Sequence, residues 1–347
     1  MTSPSFGPRL PPSDRNDRIV GGSLLALVIL ITLTSVWFSR GDQEQAQSAP
    51  APPPSPTTQG FDTSEVASVH DEDPVTIVTD EPTCPDWEPI NTALNNQLGN
   101  GWNQRDPLLP SSEWTDEQTS QHRAVADAMR AAADKTIPLA KATPHRVMRE
   151  LYWQAIAYWR AYADRIDAYR PAADHQARAA INAAEAINAI CAAIDFGAAG
   201  SRSPLVLPGP PPVPDVPLGD PSNPAKYIAG PSAFCDEWVA MVAEYATATG
   251  EWRQRNDPHI PASYWSPEQR ALGDTVAATM QQNADRTQLL GLMSGNLVAA
   301  DFAALASHYR RAYALSMPDL ALPDAHLDNA ALRLQALTNQ ACRAVQE

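Results

Sequence analysis

An all-α chain is predicted: a single N-terminal transmembrane helix followed by two tandem four-helix-bundle-like repeats, each closed by one disulfide. Three observations predict it. A charge-free run of 20 residues lies near the N-terminus. Beyond it the chain superimposes on itself when shifted by 151 residues. Apolar side chains there recur at three- and four-residue steps, and no segment alternates with a period of two.

The charge-free run is residues 19–38, with Leu24, Leu25, Leu27, Val28, Ile29, Leu30 and Ile31 at its centre. As a helix it spans about 30 Å, the thickness of a bilayer's hydrocarbon. A cleaved signal peptide would carry an apolar stretch of about 7–15 residues. The nearest small-residue cleavage candidate, Ala46-Gln47-Ser48, also lies far beyond Phe38. A retained anchor is therefore expected, with Trp37 and Phe38 at the interface. Arg9, Arg15 and Arg18 precede the span and only Arg40 follows it closely. By the positive-inside rule, residues 1–18 form a cytoplasmic tail and the C-terminal body is extracytoplasmic, in a single-pass protein of the cell membrane.

Residues 39–83 read as a disordered linker. Pro50, Pro52, Pro53, Pro54 and Pro56 are followed by Asp62, Glu65, Asp71, Glu72, Asp73, Asp80 and Glu81, without Lys or Arg among them. Such a composition buries too little apolar surface to offset chain entropy.

The repeats are residues 84–194 and 232–347. The shift places Cys84 on Cys235, Trp87 on Trp238, Trp114 on Trp265, Met129 on Met280, Tyr158 on Tyr309 and Cys191 on Cys342. Trp102-Asn-Gln-Arg-Asp-Pro107 recurs, with a one-residue slip, as Trp252-Arg-Gln-Arg-Asn-Asp-Pro258. Helices are expected at 85–98, 116–136, 144–169 and 174–194, then at 236–253, 267–290, 295–316 and 324–345. Thr115 with Gln118, and Ser266 with Gln269, are capping boxes, and Pro267 follows its cap at the first helical position. Residues 195–231 hold ten prolines and read as a semi-rigid linker.

Both cysteine pairs join the start of a first helix to the end of a fourth. These points lie at the same end of an up-down-up-down bundle. Cys84–Cys191 and Cys235–Cys342 is thus the pairing that leaves the repeats unentangled, and it fits an oxidising compartment. Each closed loop contributes up to about 4.7 kcal/mol in the chain-entropy model. No cysteine has a second Cys or His at ligand spacing, so no metal is expected, and no motif calls for a cofactor.

The formal charge of −15, from 25 Lys+Arg and 40 Asp+Glu, argues against nucleic acid as a partner. The loops between first and second helices supply candidate binding residues: Trp102, Arg105, Asp106 and Trp114, and in the second copy Trp252, Arg255, Asp257 and Trp265. Indole faces beside hydrogen-bonding groups suit a sugar or peptide. The same residues equally suit a rigid loop that plugs the bundle end. Asp134 with Arg160 and Asp285 with Arg311 read as inter-helix ion pairs, and His175 and His326 as residues of a first helical turn.

The Ala/Pro-rich composition and single anchor resemble envelope proteins of high-GC bacteria. A non-catalytic binding or scaffolding role in the cell envelope is expected, with an envelope protein or the cell wall as partner. The alternatives are a carrier or sensor of a small apolar or glycan ligand, and an enzyme of unknown class.

Overall fold

The computed structural model describes residues 63–209, 218–257 and 260–346. The expected tail and anchor, residues 1–18 and 19–38, lie outside the described residues, as do 39–62 of the first linker and 210–217 of the second. Every regular element among the described residues is helical.

The first repeat comprises α1 (Cys84–Gly99), α2 (Asp116–Ala142), α3 (Arg146–Ala163) and α4 (Asp174–Asp195), followed by the short α5 (Ala198–Arg202). The second comprises α6 (Ala233–Ala248), α7 (Gly250–Arg255), α8 (Pro267–Met293), α9 (Leu297–Ser316) and α10 (Ala325–Gln346). Both capping boxes form: Thr115 and Ser266 each accept from the backbone N–H of the glutamine three residues on, whose side chain accepts from the cap's own N–H. The expected ends shift in three places. α2 runs through Pro138 to Ala142. α3 stops at Ala163, although Ile166 and Tyr169 stay buried in the loop beyond it. The expected 236–253 helix breaks at the buried Thr249, whose hydroxyl donates to the Tyr245 carbonyl at 2.9 Å.

Within each repeat the four long helices pack in a ring, α1-α2-α3-α4 and α6-α8-α9-α10. Cys84 is bonded to Cys191 and Cys235 to Cys342, with Cα atoms 5.7 and 5.1 Å apart. The most extensive helix pair, however, joins the two repeats: α4 lies along α10. His175, in the first turn of α4, meets Gln340 near the end of α10 at 2.7 Å. His326, in the first turn of α10, stacks on Phe196 just past α4. The helices are therefore antiparallel. Arg333 donates to Asn182 at 3.5 Å, and these two positions are 151 residues apart, equivalent sites meeting each other. Glu150 and Asp301 are likewise equivalent, and their carboxyl groups lie close enough to interact electrostatically. Self-pairing of equivalent positions is the signature of a two-fold axis, so the repeats contact each other as an isologous homodimer would. Fully buried Ala179, Ala180, Ala183 and Ala186 of α4, and Ala330 and Ala331 of α10, permit the close approach. By length and composition the segment Pro171–Asp195 would cross a membrane, but it is mostly buried here as a core helix.

Residues 59–347 consequently form one compact unit, and two linker expectations need correction. Residues 63–83 are ordered: Val66, Val75, Ile77 and Val78 are buried, and the acids among them find partners. Asp71 bonds Arg146. The buried Glu81 accepts from the Thr83 amide and hydroxyl and from Thr143 Oγ1 at 2.6–3.1 Å. Composition registered the seven acids, whereas four apolar residues spaced to fall between helices decide the structure. In the second linker, Tyr227 and Ile228 are buried and Gln154 of α3 bonds the backbone at Ala225 and Tyr227. Tyr158, on the same helix, meets the Tyr227 ring edge-on. Each repeat's leading strap thus touches the other repeat, since Tyr309 of α9 in turn donates to the Val78 carbonyl at 3.5 Å.

Candidate functional site

The loop between α1 and α2 carries the first set of candidate residues. Gly101 opens it with φ +96°, a conformation that L side chains rarely adopt. Trp102 follows, with no exposed surface. Its indole donates to Tyr162 Oη at 3.0 Å, and Tyr162 Oη also meets His122 Nδ1 at 3.1 Å. The Arg105 guanidinium lies 3.3 Å over the Trp102 ring and donates to the buried Asp174, which also receives Arg178. Trp114 stacks on His122 at 3.8 Å, packs against Tyr169 and donates to the Leu109 carbonyl. Asp106 is exposed and closes a turn by accepting from the Leu108 amide at 2.9 Å.

The structure brings Trp102, Arg105 and Trp114 together with four residues the sequence did not single out: His122, Tyr162, Tyr169 and Asp174. Burial holds His122 well below its usual range, at about 4, with the nearby Arg105 charge adding to the effect. Burial likewise raises Tyr162 and Tyr169. The cluster is thus a neutral aromatic plug beside a buried, hydrogen-bonded ion pair. Trp102 has no face left for a ligand, and truncating it to Ala would cost about 3–5 kcal/mol of packing.

The second loop repeats the plug and changes the charges. Trp252 and Trp265 are buried edge-to-face, and Trp265 donates to the Ile260 carbonyl as Trp114 does to Leu109. Arg255 does not take the place of Arg105; it pairs with exposed Glu251 on its own helix. Asp257 is exposed, and its carbonyl accepts from the Ile260 amide. The acids of this end are the buried Asp324, held by Arg202 at 2.8 Å, and the half-buried Asp328, with Arg253 at 3.5 Å. Arg202 also binds Asp319, so the segment after α4 locks onto the start of α10. The expected pairs Asp134–Arg160 and Asp285–Arg311 lie at 2.7 and 2.8 Å.

Where the first repeat has an apolar core of Leu94, Ala132, Trp159, Ala177 and Ala184, the second has Tyr245, Asn283, Arg310, Asp328 and Gln335 at the equivalent positions. Arg310 is 1% exposed, donates to Asn283 and lies over the Tyr245 ring. Gln335 bridges Asn283 and Thr287. Nothing in the periodicity of α9 distinguishes Arg310 from an exposed arginine.

A third cluster sits on the pseudo-two-fold axis. Arg146 donates to Asp301 at 2.7 Å, to Asp71 through its side chain and amide, and to the Asp73 carbonyl. Arg149 donates to the Ser68 carbonyl and hydroxyl at 2.8 Å. Burial, with the Asp301 charge next, pushes Glu150 well above the usual carboxylate range. These residues clamp the first strap over a small cavity of about 190 Å³ lined in part by Val75, Ile77, His145 and Val147. Among the described residues no three His, Cys, Asp or Glu side chains are arranged to hold a metal.

The family described as mycobacterial ESX-1 associated protein matches residues 66–346, from the first buried strap residue to the last turn of α10. The chain belongs to that family. Its match covers both repeats and both straps, so the family unit is the compact body. An uncharacterised protein of Mycolicibacterium smegmatis strain MKD8 is 40% identical over 323 residues, covering 93% of this chain and 84% of its own length. No solved structure matches.

Proposed function

We propose that the protein is a non-catalytic scaffold of the mycobacterial envelope that works with the ESX-1 secretion system, held in the cell membrane by residues 19–38 with its two-repeat body outside the cytoplasm. One observation carries the reading: the family match spans the whole compact body, so the association in the family's name attaches to the folded unit. Two disulfides and an acidic, rigid, two-fold body support an extracytoplasmic binding role. The enclosed tryptophans favour docking through the outer surface over capture of a sugar or apolar ligand in the loops.

The test is made in a mycobacterium that runs ESX-1. Full-length chain carrying an affinity tag is recovered from detergent-solubilised membranes. Secretion of ESX-1 substrates is then compared between cells with and without it. Co-purification with the secretion complex and reduced export on deletion are expected. Unchanged export together with no co-purification would overturn the reading. Alkaline phosphatase fused at the C-terminus should be active, and an inactive fusion on a stable chain would overturn the orientation.

A further inference from the structure

Two arginines at the bundle ends present the same face of the guanidinium to a buried carboxylate. Arg202 donates from Nε and Nη2 to the two oxygens of Asp324, at 3.0 and 2.8 Å. Arg105 likewise donates from Nε and Nη2 to Asp174. In Arg310 that face is empty. Its Nη1 donates to Asn283, whereas Nε and Nη2 are enclosed and have no hydrogen-bond partner among the described residues.

An unfilled fork in the core is costly. Arg310 is 1% exposed, and a guanidinium cannot shed its charge to escape the missing bonds. The charged side chains near enough to act on it are Asp328 and Arg253. Asp328 pairs with Arg253 at 3.5 Å, so two cations share one acid and the buried cation lacks a direct counter-charge. Two further atoms of this neighbourhood are enclosed and unpartnered, Tyr245 Oη and Asp328 Oδ1. The Tyr245 ring lies 4.2 Å under the Arg310 guanidinium, with Arg253 5.8 Å from the same ring. The first repeat builds nothing comparable: Leu94, Trp159 and Ala177 stand where Tyr245, Arg310 and Asp328 do.

The unmet groups define a guest. Nε and Nη2 offer two parallel N–H bonds, the pattern that fits two oxygens of a planar anion. Tyr245 Oη can donate a third bond. Asp328 Oδ1 only accepts, so the guest must carry a donor of its own. Chloride offers neither the planar pair of oxygens nor the donor, and water offers no charge. Solvent reaches the cluster at Arg253 and Asp328, whose side chains are 33 and 15% exposed.

We infer that Arg310, Tyr245 and Asp328 form a binding site for a small planar oxyanion that bears a hydroxyl, with bicarbonate as the type. Two oxygens of the anion take Nε and Nη2, and its hydroxyl donates to Asp328. The bound anion supplies the missing counter-charge and couples the stability of the second repeat to anion concentration. The inference is independent of the anchor and of the secretion-system partner.

The test is thermal unfolding of the full-length protein in detergent, at pH 8 and constant ionic strength, in sodium bicarbonate, sodium formate or sodium chloride. Formate has the planar pair without the hydroxyl. The melting temperature is expected to rise by about 5 °C at a bicarbonate concentration about a hundredfold above its Kd, less in formate and least in chloride. Arg310→Met removes the charge and Arg310→Lys keeps it without the fork; both should lose the differences between the salts. Equal melting of the parent in the three salts, or the same ranking in a folded Arg310→Met variant, would overturn the inference. So would chloride matching bicarbonate, which would make the core indifferent to the shape of the anion. Carbon-13 NMR of labelled bicarbonate needs no variant: its line should broaden with the parent protein and sharpen again on adding excess formate. A line that stays sharp would also sink the site.

Discussion

Asn182 and Arg333 occupy the same place in the two repeats and meet each other at 3.5 Å, midway along the two helices that join the halves. A residue can touch its own repeat-mate only on the axis relating the copies, so this contact marks where one half ends and the other begins. With Glu150 and Asp301 it explains why the halves share a core instead of hanging from a tether.

A shared core makes unfolding of the halves cooperative. Replacing Cys235 and Cys342 by serine should cost about 2–5 kcal/mol. Calorimetry should still record one transition, moved to lower temperature. Two separated transitions would mean that the repeats unfold independently.

The carboxyl pair on the axis gives a pH dependence of defined sign. A carboxyl raised in the folded state contributes its stability below its usual value of 4.5 and loses it as pH rises through the folded value. Glu150→Gln removes that loss, so the variant's advantage in melting temperature should widen as pH rises from about 5 toward 8. A gap that stays constant or reverses would show that Glu150 is stabilised as a carboxylate by Arg149 and Arg146.

His122 works in the opposite direction. Its folded value of about 4 lies below its usual 6.5, so neutral His122 favours folding at pH 7 and that contribution drains away as pH falls from 6.5 toward 4. The slope is at most about 1.4 kcal/mol per pH unit. His122→Gln should flatten the acid limb of the stability profile by that amount, read by denaturant melts at pH 7, 6 and 5. An unchanged limb would assign the acid sensitivity to other groups.

Arg310 is a buried cation where the first repeat has Trp159. Removing it relieves a desolvation cost and leaves Asn283 still bonded by Gln335. Arg310→Met should therefore be neutral or stabilising by about 1–4 kcal/mol. A loss of more than about 3 kcal/mol, measured by urea melts, would show that the guanidinium holds the polar core together.

Much of this architecture is legible in the chain because it depends on local patterns. Capping boxes, prolines and the 3.6-residue period are read within a few residues, and Thr115, Ser266 and the face of α3 follow from them. Cysteine pairing needed only one added premise, that alternate helices run in opposite directions. Order in residues 63–83 was hidden because acidity dominates the composition, while burial rests on Val66, Val75, Ile77 and Val78 finding grooves between distant helices. Arg105 was legible as a candidate, but its partner Asp174 lies 69 residues away, and the one-residue slip disguised Arg253, with Arg202 from the linker, as the working cations of the second copy.

By itself, then, the amino-acid order determined the helices, their duplication and the bridges that close each copy, since all three are written in short-range spacing or in repetition. Only the tertiary structure decided that the copies fuse along α4 and α10, that the tryptophans face inward, and that Arg310 lies in the core of the second copy. Periodicity reveals that a helix has an apolar face; what comes to cover that face is settled by chain segments tens to hundreds of residues away.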